Sequence, residues 1–104
     1  MKYCSVEEVK KEVDLGRMLI LDIRESYEVD ICSIDSMQIP MGQICDRVSE
    51  IPTNKTIAVL CKSGKRAEAV ANLMCVECGF TNVVVVEGGM MAWIEKVANH
   101  LEVY

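Results

Sequence analysis

The residues with the clearest chemical capacity are Cys61-Lys62-Ser63-Gly64-Lys65-Arg66. They follow an apolar run, Ile57-Ala58-Val59-Leu60, and a helical pattern begins directly after them. A cysteine where a buried strand gives way to a helix lies under the N–H groups of a tight loop and at the positive end of that helix. Both favour thiolate over thiol, and the thiolate is the nucleophile. Ser63 and Gly64 let the turn curl so that successive N–H groups point inward as a nest. Lys62 and Lys65 would draw in an anion. Arg66 either bonds the substrate or clamps the loop from its own side, and the spacing leaves both open. A cysteine in a strand is most often inert core. The glycine and the cations next to Cys61 set it apart and point to a nucleophile facing an anionic substrate.

The other reactive residues are less telling. The one histidine, His100, falls near the end of the last helical pattern and reads as a surface residue. With no plausible histidine partner for a cysteine, the pattern argues against a papain-like protease. Cys75 and Cys78 have a CxxC spacing, but there is no second such pair for a structural zinc site. They also lie within a helical pattern, so they read as packing. Cys4 and Cys45 have no informative spacing, and Cys32 sits in a polar segment as a candidate exposed second thiol. Asp22, Arg24, Glu25 and Glu28 cluster at a strand end. They read as an ion-pair network, with Arg24 held by a glutamate.

Composition bounds the rest. The chain has 104 residues, 51 % of them hydrophobic, which suits one packed domain spanning 1–104. The net charge of −5 argues against nucleic acid and anionic membranes as partners. No apolar run is long enough to span a bilayer, and the first residues lack the apolar core of a signal peptide. A cytoplasmic location is expected. The six cysteines then read as reduced thiols, most of them buried.

The elements that must position Cys61 follow from periodicity. Ser5-Val6-Glu7-Glu8 reads as a capping box before the stripe Val6, Val9, Val13, and Gly16 ends that helix. Met18 to Leu21 reads as a strand buried on both faces. Ser26 to Ser36 reads as polar and irregular, and Met37 to Pro40 as a short strand. Ile44, Val48 and Ile51 mark a short helix. Thr56 to Leu60 is the strand leading to Cys61. Ala67, Val70, Ala71, Met74 and Cys78 mark the helix after it, closed by Gly79. Val83 to Val86 is too β-branched for a helix. Gly88-Gly89 turns the chain into a last helix striped by Met90, Ile94, Val97 and Leu101, with Trp93 as its core anchor. Strands alternating with helices imply parallel pairing in a three-layer α/β domain.

Three segments together resemble a known family, the single-domain rhodaneses. Leu21-Asp22-Ile23-Arg24-Glu25 is similar to the family's Asp-Val-Arg-Glu strand end. Cys61-Lys62-Ser63-Gly64-Lys65-Arg66 matches its six-residue active loop, cysteine first and arginine last. Glu87-Gly88-Gly89-Met90-Met91-Ala92-Trp93 matches its Gly-Gly-x-x-x-Trp segment. The resemblance runs from Val6 to about Val97. It implies a central, mainly parallel sheet of about five strands flanked by helices. It implies a sulfurtransferase of the thiosulfate:cyanide type. Cys61 would take a sulfane sulfur from a small anionic donor such as thiosulfate, become a persulfide, and pass the sulfur to cyanide, a thiol or a protein. Lys62, Ser63, Gly64, Lys65 and Arg66 would bind the donor. No metal or organic cofactor is implied. Where the family carries Gly-His-Ile-x-Gly-Ala, this chain has Cys32-Ser33-Ile34-Asp35-Ser36-Met37, so a substrate or partner contact there is altered.

Three alternatives compete with that reading. Cysteine phosphatases of this fold separate cysteine from arginine by five residues, whereas four separate Cys61 from Arg66. A non-catalytic interaction module would not need Cys61. A protein-to-protein persulfide carrier or redox module uses the same chemistry with other substrates.

Overall fold

A computed structural model describes residues 2–98. Five strands form one sheet, every pair parallel, in the order β1-β5-β4-β2-β3. They are β1 (Tyr3–Cys4), β2 (Met18–Asp22), β3 (Met37–Gln38), β4 (Thr56–Leu60) and β5 (Val83–Val86). The helices are α1 (Val6–Asp14), α2 (Ser26–Ile31), α3 (Ile44–Arg47), α4 (Lys65–Val76) and α5 (Gly89–Lys96). This is the three-layer α/β architecture expected from the alternating pattern.

The two faces of the sheet carry separate cores. Leu21, Ile57, Val59, Val83 and Val85 pack with Ile39, Ile44, Val70, Ala71 and Met74 on the face covered by α3 and α4. Ile20, Ala58, Leu60, Val84 and Val86 pack with Val6, Val9, Met90, Trp93 and Ile94 on the face covered by α1 and α5. Alternate residues of β4 feed opposite cores, as side chains on a pleated strand must. Burial on both faces explains the continuous apolar runs. Ser5 Oγ accepts the Glu8 N–H at 3.2 Å and starts α1 as its motif predicts.

Several elements differ from the sequence expectation. Ser26 to Ile31 forms α2 rather than irregular chain. Its buried residue is Glu28, so no apolar stripe announces it. The Glu28 carboxylate accepts the Glu25 N–H at 2.8 Å and closes the first turn. β1 pairs with β5 over two residues, too few to show a period. The turns around α3 are 3₁₀, Met41–Gln43 before it and Val48–Glu50 after it. Leu101 and His100 lie outside the described residues.

The topology places one crevice. From β2 the chain crosses to β3 on one side, then returns to β4 on the other. The carboxyl ends of β2 and β4 flank that reversal, and ligands of open α/β sheets bind at such a switch point. The Ile23 N–H donates to Leu60 O at 3.0 Å and ties the two ends together. Arg24 and Cys61 directly follow.

Candidate active site

Cys61 is the first residue after β4 and is buried. Its Sγ accepts the Gly64 N–H at 3.0 Å and the Ala67 N–H at 3.4 Å. Gly64 is the N-cap residue of α4 and has no side chain to cap the helix. The sulfur fills that place, receiving a first-turn donor that otherwise has no intrahelical partner. Gly64 has φ +107°, a backbone conformation open to glycine, and this turns its N–H toward Sγ.

The opposite side of the loop is held by α5. The Met90 N–H donates to Cys61 O at 2.8 Å, and the Met91 N–H to Lys62 O at 3.1 Å. The first donors of α5 therefore bind the loop carbonyls on one side, while Gly64 and Ala67 donate to the sulfur on the other. An anion at Sγ meets two N–H donors and the N-terminus of α4, an arrangement that stabilises negative charge.

Arg66 is paired within the protein. Its Nη1 donates to Glu28 Oε2 and its Nη2 to Glu28 Oε1, both at 2.8 Å. The guanidinium grips a carboxylate of the protein with the bidentate fork that suits it. The Arg66 fork and the Glu25 N–H hold the Glu28 carboxyl below its ordinary range. Glu28 in turn raises Arg66 further above its own.

The partner expected for Arg24 is corrected. Arg24 is bound by Asp22, Nε to Oδ1 at 3.0 Å and Nη2 to Oδ2 at 2.8 Å, with both side chains fully buried. Its Nη2 also donates to Cys32 O at 2.7 Å. From Glu28 it receives only the backbone carbonyl, at 3.5 Å. Asp22 lies two residues before Arg24, which sits at the bend leaving β2, and its Oδ1 also accepts the Arg24 backbone N–H at 3.1 Å. Glu28 faces α4 instead.

The remaining candidates are placed as follows. Lys62, Ser63 and Lys65 are exposed on the loop. Ser63 and Gly64 line a hollow of about 220 Å³ with Tyr3, Glu68, Glu87 and Gly88. Cys32 is buried rather than an exposed second thiol, because its carbonyl is drawn in by Arg24. The expectation that most thiols are buried also fails. Cys32 and Cys61 are buried, Cys4 and Cys78 half-buried, Cys45 and Cys75 exposed. Cys75 lies in the last turn of α4 and Cys78 just beyond it, packed against the core. Among the described residues no group of three or more His, Cys, Asp or Glu could hold a metal ion, and no helix is long and apolar enough to cross a membrane.

Asp22 and Glu28 carry more of the site than the sequence indicated. Glu28 had a local signal in its spacing to Glu25, which is that of a capped first turn. Its pairing with Arg66, 38 residues away, had none.

Known proteins resemble this chain over most of its length. The model of the rhodanese-like domain matches residues 5–96. A protein of Allochromatium vinosum named a sulfurtransferase is 38 % identical over 82 residues, covering 77 % of this chain and 75 % of that one. YrkF of Bacillus subtilis, named as a sulfur carrier protein, is 37 % identical over 94 residues, covering 88 % of this chain and 50 % of YrkF. The chain thus spans about half the length of that relative. The crystal structure of a rhodanese-like domain protein from Staphylococcus aureus superposes with a TM-score of 0.79 at 28 % identity, covering 100 % of this chain and 99 % of that one.

Proposed function

The chain belongs to the rhodanese-like domain family, and we propose that it is a sulfurtransferase that carries sulfane sulfur on Cys61. The observation that carries this reading is the pair of N–H donors aimed at Cys61 Sγ. They favour a negative sulfur where a thiol would otherwise be inert core. Residues 1–104 are taken as one domain.

The proposed reaction has two displacements. The Cys61 thiolate attacks the outer sulfur of thiosulfate. The sulfur–sulfur bond of the donor breaks, and sulfite leaves with its electron pair. Cys61 then holds a persulfide, whose terminal sulfur carries the negative charge. An acceptor attacks that terminal sulfur, and the Cys61 thiolate leaves. Cyanide as acceptor becomes thiocyanate, and a thiolate becomes a persulfide. Electrons balance without a metal or an organic cofactor. Amides of residues 63–67 and the cations Lys62 and Lys65 would receive the donor's anionic end, since fixed donors and charges at a developing anion lower its energy.

Thiosulfate and cyanide are one choice of donor and acceptor. A second reading, transfer of persulfide from one protein thiol to another, is favoured by the similarity to YrkF, named as a carrier. Both readings require Cys61 to gain sulfur. Reduced protein incubated with thiosulfate is expected to gain the mass of one sulfur atom, and Cys61→Ser to gain none. Gain from a protein persulfide but not from thiosulfate would select the carrier reading. No gain from either donor would reject both.

A further inference from the structure

Arg66 closes the sequence motif and is the obvious anion ligand, yet both ends of its guanidinium fork lie 2.8 Å from the Glu28 carboxylate. Glu28 is almost fully buried and comes from α2, on the far side of the crevice from α4. The same carboxylate holds the first turn of α2 through the Glu25 N–H. Lys65, at the first position of α4, is exposed and makes no ion pair among the described residues.

We infer that Glu28 and Arg66 are positioning residues, a charge-neutral clamp that fixes the last turn of the active loop, and that preference for anionic substrates is set by the loop lysines, Lys65 among them, and the loop amides rather than by Arg66. The inference rests on Cys61 being the nucleophile. A guanidinium whose charge is matched by a bidentate carboxylate attracts an approaching anion weakly, because the two opposite charges nearly cancel at the distance of the substrate. Two of the five Arg66 side-chain N–H groups, one on each arm of the fork, are also held by Glu28. What the pair supplies is position. It ties α4 to α2, so Ala67, the next residue, keeps its N–H on the sulfur.

The test compares two alkylating agents of similar size, anionic iodoacetate and neutral iodoacetamide, with attachment at Cys61 read by mass. The ratio of their rates reports charge preference, and the absolute rates report loop geometry. Lys65→Gln is expected to lower the iodoacetate-to-iodoacetamide ratio about threefold to tenfold at low salt, as loss of one nearby partly solvated charge should. The double variant Glu28→Gln/Arg66→Gln removes the clamp without changing net charge. Both of its rates are expected to fall while their ratio stays within about twofold of the native value. If its ratio falls as far as in Lys65→Gln, Arg66 is an anion ligand and the inference is overturned.

Glu28→Gln alone keeps a neutral partner for Arg66 and covers the case in which the double variant does not fold. Its ratio is expected to rise, because the guanidinium is no longer matched, and a ratio at or below native would overturn the clamp. Failure of native Cys61 to react with either reagent would count against Cys61 as nucleophile, and with it against the sulfurtransferase reading. Reaction with the wrong charge pattern would remove only the clamp.

Discussion

Gly89 lies against the backbone of the active loop so closely that a side chain there would meet Cys61 O at 2.4 Å and Lys62 O at 2.6 Å. These are the two carbonyls that the Met90 and Met91 N–H groups hold. The Gly-Gly turn therefore sets how near α5 approaches the loop.

Gly89→Ala is expected to push α5 off the loop. The obstruction is backbone, which cannot rotate away, and φ is +59°. Strain and overpacking together cost about 2–4 kcal/mol. A lower urea midpoint, with sulfur loading of Cys61 reduced at least about tenfold, would agree. Native stability and loading in the alanine variant would show that the contact is not needed.

Asp22 and Arg24 form an ion pair with no exposed side-chain surface. Asp22→Asn leaves the Arg24 charge buried without its partner, which costs about 3–5 kcal/mol. Replacing the pair together, as Asp22→Leu with Arg24→Met, removes both the charge and its demand. That variant is expected to recover a large part of the loss. Equilibrium unfolding of the native chain, the single and the double variant gives the comparison. A double variant no more stable than Asp22→Asn would contradict it.

The contrast between strands and site shows what a sequence can reveal. β2, β4 and β5 were legible because burial on both faces forces apolar runs, and α4 because its stripe has helical period. α2 was not, because it buries Glu28 where a stripe would need an apolar residue. Cys61 was legible because its loop is contiguous. The partner of Arg24 was not, because Asp22, Glu25 and Glu28 are all near it in sequence and only the backbone path decides among them. The Glu28–Arg66 pair spans 38 residues and depends on the switch point between β2 and β4, which no local pattern encodes.

Gly64→Ala isolates the donor geometry at the sulfur. A Cβ would find ordinary space, with Gly88 N and Val86 O both at 3.8 Å. The difficulty is conformational, because φ is +107°. An alanine adopts that with a penalty of about 1–2 kcal/mol, or the turn changes and the N–H leaves Sγ. Stability is expected to fall modestly, while alkylation of Cys61 slows by about tenfold to hundredfold. Equal percentage losses in both measurements would mean that the donor matters only for folding.

The Glu28 carboxyl gives the fold an acid-sensitive contact whose sign follows from its partners. Arg66 and the Glu25 N–H bind the ionised form, so in the folded chain Glu28 titrates below its ordinary value. In the unfolded chain it titrates near that value, about 4.3. As pH falls, the unfolded state takes up the proton first, and stability falls with it. The contribution is complete above the ordinary carboxylate range and is lost as pH drops through that range toward the folded value. Glu28→Gln lacks this term. The gap in urea midpoint between the native chain and Glu28→Gln is expected to be constant from neutral pH to about 5.5 and to narrow steadily below about 4.3. Free energies of unfolding at half-unit pH steps would show it. A gap that stays constant down to the acid limit would mean that Glu28 titrates alike in both states, and that Arg66 does not hold it ionised.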